Sequence, residues 1–252
     1  MAIPPPAPDT RKYHTIRWFT KPVVKKLLKT ADSIRRHDGL NSFIQGRTNP
    51  LPDETLKLLK NNTEATNSDE LNKIVFPTVN ADEINLEWAN FTFPKKFSGS
   101  IYSVMGPGGY YKPHIDAARL GHFSTTIFLS DPSTYEGGEL ELLVDGKLKE
   151  FKLKPGYGIT YETGTPHQVK TVTSGERKVL IFWTTTQMVN LEDLYQWRAW
   201  KLWAQKQVPG DIEKLGYYPI DSDDVAATLE EFVAKKPVIA VTHMHEIVRK
   251  YI

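Results

Sequence analysis

Apolar and polar residues alternate singly, with interruptions, from about Ile84 to Thr186, the period expected of strands with one buried face. Turn-forming residues at Gly106 to Gly109, Asp145-Gly146, Pro155-Gly156 and Ser174-Gly175 cut this stretch into about eight strands, the number a jelly roll needs. On either side the period becomes helical. Thr20 is placed to cap a helix with Pro22 in its first turn, and Val23, Val24, Leu27, Leu28, Ala31 and Ile34 form its apolar stripe before Gly39 ends it. A short helix is predicted from Pro52 to Lys60, followed by a polar stretch from Asn61 to Glu70. From Leu191 the helical period returns, with Trp197, Trp200 and Trp203 on one side, and Asp221-Ser222-Asp223-Asp224 reads as the cap of a further helix through Lys235. The pattern predicts a mainly β protein. Its core is a double-stranded β-helix (jelly roll) over 84–187, with an N-terminal arm and helices packed on it over 1–83 and a C-terminal helical extension over 188–252. The tryptophan stripe is expected to pack on the barrel or on a second subunit, as in a homodimer.

Composition narrows the function classes. The chain has 252 residues and 32 basic against 30 acidic side chains, a net charge of +2. The basic cluster from Arg11 to Lys29 falls largely on the polar side of the first helix, so it reads as a solvated face and not as a nucleic-acid surface. There are no cysteines, which excludes disulfides and fits a reducing cytoplasm. The proline-rich start, Met1 to Pro8, lacks the charged and apolar regions of a signal peptide and is expected to be a loose arm. Apolar runs such as Val179 to Trp183 are far shorter than a membrane span. No Walker loop, nucleophile elbow or Rossmann glycine pattern is found.

The candidate chemistry lies in His114-Ile115-Asp116, His167 and Arg177. In an extended stretch His114 and Asp116 point to one face and can share an ion, while Ile115 points away. His167 follows the break Gly164-Thr165-Pro166 and opens another extended segment, so a third ligand can come from a distant strand. Two imidazoles, one carboxylate and no thiolate suit redox iron with open coordination positions better than a closed structural zinc site. Alternation then puts Arg177, Val179, Ile181 and Trp183 on one face, leaving a guanidinium in an apolar pocket where it needs an anion, such as one end of a dicarboxylate.

This set, with Tyr102, Gly109 to Asp116, Thr126 to Pro132, Tyr135 to Leu140, Pro166 to Val169 and Gly175 to Trp183, resembles the 2-oxoglutarate and Fe(II)-dependent dioxygenases, and within them the prolyl 4-hydroxylase branch and its PKHD-type relatives. The resemblance runs from about Ser98 to Thr186. It implies that His114, Asp116 and His167 bind Fe(II), that Arg177 holds the distal carboxylate of 2-oxoglutarate, that O2 is the oxidant and that ascorbate serves as reductant. It also implies that Tyr102 stands near the co-substrate, that Thr126 and Phe128 face the pocket, and that Trp183 lines its wall. Some prolyl hydroxylases have a tyrosine where Phe128 stands, and its hydroxyl helps hold the distal carboxylate. Here Thr126 or Tyr102 is left to supply that hydroxyl. Family members that halogenate lack the carboxylate that Asp116 provides, so hydroxylation is implied.

Plainer readings stand beside these. A single H-x-D is common surface polarity, and only the ordered set of four residues makes a metal site the better reading. Phe128 and Trp183 are as well explained as core aromatics. Gly137-Gly138 reads as a backbone requirement. His243-Met244-His245 repeats the two-residue spacing, but on a helix such residues diverge. The resemblance implies a proline-containing peptide or protein as substrate; a free amino acid or small metabolite, or a jelly roll that binds a ligand without turnover, are the competing readings.

Overall fold

A computed structural model describes residues 5–39, 58–66, 69–80, 86–97, 99–207 and 238–251. Among them are fifteen strands: β1 (Tyr13–Arg17), β2 (His37–Asp38), β3 (Lys60–Asn61), β4 (Thr63–Thr66), β5 (Pro94–Phe97), β6 (Ile101–Met105), β7 (Tyr110–His114), β8 (Phe123–Phe128), β9 (Tyr135–Gly137), β10 (Leu140–Val144), β11 (Lys147–Phe151), β12 (Tyr157–Glu162), β13 (His167–Val169), β14 (Val172–Gly175) and β15 (Arg177–Thr186). The helices are α1 (Lys21–Ser33), α2 (Asp69–Asn80), α3 (Leu86–Thr92), α4 (Leu191–Gln207) and α5 (Val238–Val248). The chain divides into two compact units, 12–186 and a second made of 1–11 with 187–252.

The larger unit is the double-stranded β-helix. One sheet runs β1-β12-β8-β15-β6-β4-β2, with β5 also paired to β15, and the facing sheet runs β11-β10-β13-β7-β3; every pairing is antiparallel. Strand alternation then sorts side chains into two cores. Phe128, Ile159, Tyr161 and Val179 point inward with Leu140, Leu142 and Val169 of the second sheet, while Ile127, Leu180 and Phe182 point outward. That outer face is covered by Val24, Leu27 and Ala31 of α1, Leu71 and Val75 of α2 and Trp88 of α3.

The strands between 84 and 186 number eleven among the described residues, more than the turn signals predict, because short pieces such as β9 and β14 pair with each other outside the main sheets. Residues before 84 also contribute strands: β1 pairs along its whole length with β12, and β3 and β4 extend the two sheets. Helix α1 forms as expected, with Thr20 extended at its N-cap and Pro22 in the first turn, but it ends at Ser33 and the Thr20 side chain makes no capping bond. Lys60, expected to end a helix, lies in β3; residues 52–57 of that expected helix, residues 81–85 and the expected helix from Asp221 to Lys235 lie outside the described residues.

In the second unit, Trp200 stacks on His243 of α5 with ring centroids 4.6 Å apart and meets Trp203 edge-on at 5.9 Å. Asp193 accepts bonds from Lys250 Nζ at 2.7 Å and Tyr251 Oη at 2.6 Å. Among the described residues no helix is long and apolar enough to cross a membrane.

Candidate metal and dicarboxylate site

His114 and His167 are cross-strand partners, at the end of β7 and the start of β13, so antiparallel pairing alone brings their rings to 4.1 Å between centroids. Asp116 lies just past the end of β7. One donor atom from each of the three falls within 4.8 Å of the others. Nε2 of His114 and Nε2 of His167 stand 3.8 and 3.9 Å from Asp116 Oδ1. Donors held about 2.1 Å from a common ion lie up to about 4 Å apart, so these separations fit one metal between them.

The surroundings fix which atoms face that ion. His114 Nδ1 lies 2.8 Å from the carbonyl of Lys112 and His167 Nδ1 lies 2.9 Å from that of Thr165. Each Nδ1 therefore carries the proton and donates it to a carbonyl, which leaves the Nε2 lone pairs for a metal. Asp116 Oδ2 accepts bonds from Ser124 Oγ at 2.7 Å and Trp183 Nε1 at 2.9 Å, which leaves Oδ1 toward the imidazoles. Ser124 and Trp183 are themselves cross-strand partners on β8 and β15. One sheet thus supplies the imidazoles and the other orients the acid. Tyr111 stacks on His114 at 3.6 Å. Burial above all, with His167 beside it, lowers the His114 pKa to about 4, so the ring is neutral and ready to ligate at physiological pH.

The three residues line a cavity of about 460 Å³, together with Arg177, Thr126, Tyr161, Ile181 and Trp183. Arg177 is 2% exposed, and burial lowers its pKa to about 10, so it remains a cation. It lies over the Phe128 ring, 5.4 Å from the centroid; among the described residues it forms no ion pair, and its Nε has no hydrogen-bond partner. A Cβ on Gly138 would come 3.0 Å from Arg177 Cδ, and Gly138 has φ +68°, so glycine there makes room for the arginine stem. A second charged pair lies on the same wall, Lys60 Nζ and Glu64 Oε1 at 2.8 Å, with Asn62 bridging Glu64 and Ser103.

The structure brings His114, Asp116, His167, Arg177, Thr126 and Trp183 to one cavity, with Phe128 beneath the guanidinium. It corrects Tyr102. On β6 it is Ile101, Ser103 and Met105 that line the cavity, and Tyr102, between them, points into the outer core, where its hydroxyl donates to Asp32 at 3.1 Å. Ser124 and Tyr161 escape notice in the sequence. Ser124 is two residues before Thr126, so alternation could have found it; no local spacing links Tyr161 to the site.

The family model described as "2OG-Fe(II) oxygenase superfamily" matches residues 100–185. A PKHD-type hydroxylase of Maricaulis maris is 31% identical over 156 residues, covering 60% of this chain and 70% of that protein. The chain belongs to the 2OG-Fe(II) oxygenase superfamily, in its PKHD-type branch. A PKHD-type hydroxylase of Prochlorococcus marinus is 39% identical over 108 residues, 41% of this chain and 49% of that protein, so the match spans about half of the relative's length. A prolyl hydroxylase from Trichoplax adhaerens, solved with a hypoxia inducible factor peptide fragment, shares the fold at a TM-score of 0.52 and 16% identity, covering 71% of this chain and 85% of that one. The family implies Fe(II), 2-oxoglutarate and O2, and the His-Asp-His donor set fits a ferrous ion: two imidazole nitrogens, one carboxylate oxygen, no thiolate and an adjoining cavity.

Proposed function

We propose that this oxygenase hydroxylates an unactivated C–H bond of a prolyl residue in a peptide or protein, converting 2-oxoglutarate and O2 to succinate and CO2. The observation that carries the reading is Arg177, a buried cation in the cavity of the triad with no carboxylate paired to it among the described residues. An uncompensated buried charge is costly, and a dicarboxylate whose near end reaches the metal would bring the missing anion.

His114 Nε2, Asp116 Oδ1 and His167 Nε2 would hold Fe(II), which when bound supplies the oxygen chemistry that couples decarboxylation to hydroxylation. The protein does the rest. The Lys112 and Thr165 carbonyls keep the protons on Nδ1, Ser124 and Trp183 aim the carboxylate, Arg177 orients the co-substrate, and Ile181 and Met105 make the surrounding wall dry. The PKHD-type relatives support hydroxylation as the reaction, and the prolyl hydroxylase solved with a peptide fragment supports a peptidyl proline as substrate.

The test supplies Fe(II), 2-oxoglutarate and ascorbate as reductant, with proline-containing peptides in one set and free amino acids or small metabolites in another. Succinate together with one added oxygen on a peptide supports the proposal. Oxygen gained only by a free amino acid or metabolite moves the substrate to that class. No succinate with any substrate, together with unchanged metal content in His114→Ala, leaves only a ligand-binding jelly roll.

A further inference from the structure

A diacid between the triad and Arg177 leaves one charged wall of the cavity unused. Lys60 Nζ and Glu64 Oε1 lie 2.8 Å apart, both side chains are buried, and both residues line the cavity. Strand pairing aims them inward: Glu64 pairs with Ser103 of β6, which pairs with Val179 of β15, and Lys60 pairs with Tyr111 of β7. Strand β4 stands two places from β15 in its sheet, roughly 10 Å at the usual strand spacing, so a co-substrate that ends on Arg177 passes it by. The pair is nevertheless close to the metal. Lys60 Nζ lies 5.1 Å from the centroid of the Tyr111 ring, which stacks on His114 at 3.6 Å. Burying two charges can cost more than their attraction returns, so an apolar pair would serve a merely structural wall as well. The space beside the co-substrate is where the substrate has to sit.

We infer that Lys60 and Glu64 read the main chain of the residue that precedes the target proline, Lys60 donating to its carbonyl and Glu64 accepting from its N–H. The inference rests on the prolyl reading above and adds how the peptide is held. A proline pushes the residue before it into an extended conformation, and an extended residue presents its N–H and C=O to the same side, as in a hydrogen-bonded antiparallel pair. A cationic donor beside an anionic acceptor is the complement of that edge. Proline has no N–H of its own, so the acceptor has to find its donor on a neighbouring residue. An ammonium can donate three bonds and a carboxylate can accept about four, so contact between the two is compatible with contact to a ligand. Asn62 steadies the acceptor: its Nδ2 lies 2.7 Å from Glu64 Oε1 and 2.8 Å from Ser103 Oγ. The plainer alternative is an ion pair that only closes the side of the barrel where β3 and β4 extend the two sheets.

Calorimetric titration of the protein loaded with Mn(II) and 2-oxoglutarate separates the two. The probes are a peptide that gains oxygen in the assay above and its twin, in which an ester oxygen replaces the N–H of the residue before proline. Wild type should bind the peptide about tenfold or more tighter than the twin, the scale of a hydrogen bond to a charged group. Lys60→Met combined with Glu64→Leu removes both charges together, a replacement that leaves no buried charge unpaired, and should bind the two probes equally. Lys60→Glu combined with Glu64→Lys restores an ion pair with donor and acceptor exchanged. It would rescue a structural pair, whereas a reading pair should stay blind to the ester, and this second variant decides the matter if the apolar one fails to fold. A wild-type preference retained in either double variant overturns the inference. Equal binding of the two probes by wild type also overturns it, while the prolyl reading stands. If no peptide gains oxygen, the prolyl reading falls and this inference with it.

Discussion

Trp183 donates its indole N–H to Asp116 at 2.9 Å, tying a wall residue of β15 to the one carboxylate of the metal triad. The bond occupies Oδ2, as does that from Ser124, so Oδ1 is presented to both imidazoles without a search among rotamers. Trp183→Phe keeps the ring and removes the donor. Loss of such an outer bond weakens metal binding about 10- to 100-fold. Titration of the metal-free protein with Mn(II) checks this; wild-type affinity in Trp183→Phe would show the indole to be packing alone.

Arg177 sets ligand binding against stability. Its pKa is lowered to about 10 because burial penalises the cation. The sign follows: charged Arg177 costs the metal-free fold on the order of 3 kcal/mol at neutral pH, and the cost is relieved only as pH rises through about 10. Arg177→Met should therefore melt no lower than wild type when ligand is absent, despite losing contact with Phe128. Addition of 2-oxoglutarate to the Mn(II)-loaded protein should raise the melting temperature of wild type further and that of the variant much less.

His114 carries a pH dependence of the same sign in a lower window. Its folded pKa of about 4 lies below the ordinary 6.5, so the unfolded chain takes up a proton first as pH falls. Stability contributed by the neutral ring is complete above about pH 6.5 and is lost toward pH 4. Urea midpoints of the protein in chelator, measured from pH 7 to 5, should fall more steeply for wild type than for His114→Asn. Equal slopes would remove His114 as the cause.

Gly138→Ala tests whether backbone room for Arg177 matters. The residue has φ +68°, and its new methyl would press on Arg177 Cδ and Val172 Cγ2. About 1–2 kcal/mol of stability should be lost to the left-handed conformation. Calorimetry should show weakened 2-oxoglutarate binding as well. A variant with reduced stability and intact binding would mean that Arg177 reaches its place without this passage.

Much of the site could be read from the sequence because strands repeat every two residues. That parity placed Arg177, Ile181 and Trp183 on one wall and Thr126 on the next, and all line the cavity. Tyr102 shows the weakness of a transferred role unsupported by parity. Arg177 pairs with Met105, so the cavity-facing residues of β6 are the odd ones, and Tyr102 falls between them. Tyr161 and the Lys60–Glu64 pair were illegible for a different reason: they reach the cavity through sheet order, which no local pattern encodes. The two-residue strands β2 and β3 are too short to show any period at all.

The most direct test of the central claim is a crystal structure grown with Mn(II) and 2-oxoglutarate. It should show the ion bound by His114 Nε2, Asp116 Oδ1 and His167 Nε2, with the keto acid running from the metal to Arg177. A metal bound elsewhere, or a keto acid whose far carboxylate does not meet Arg177, would contradict it.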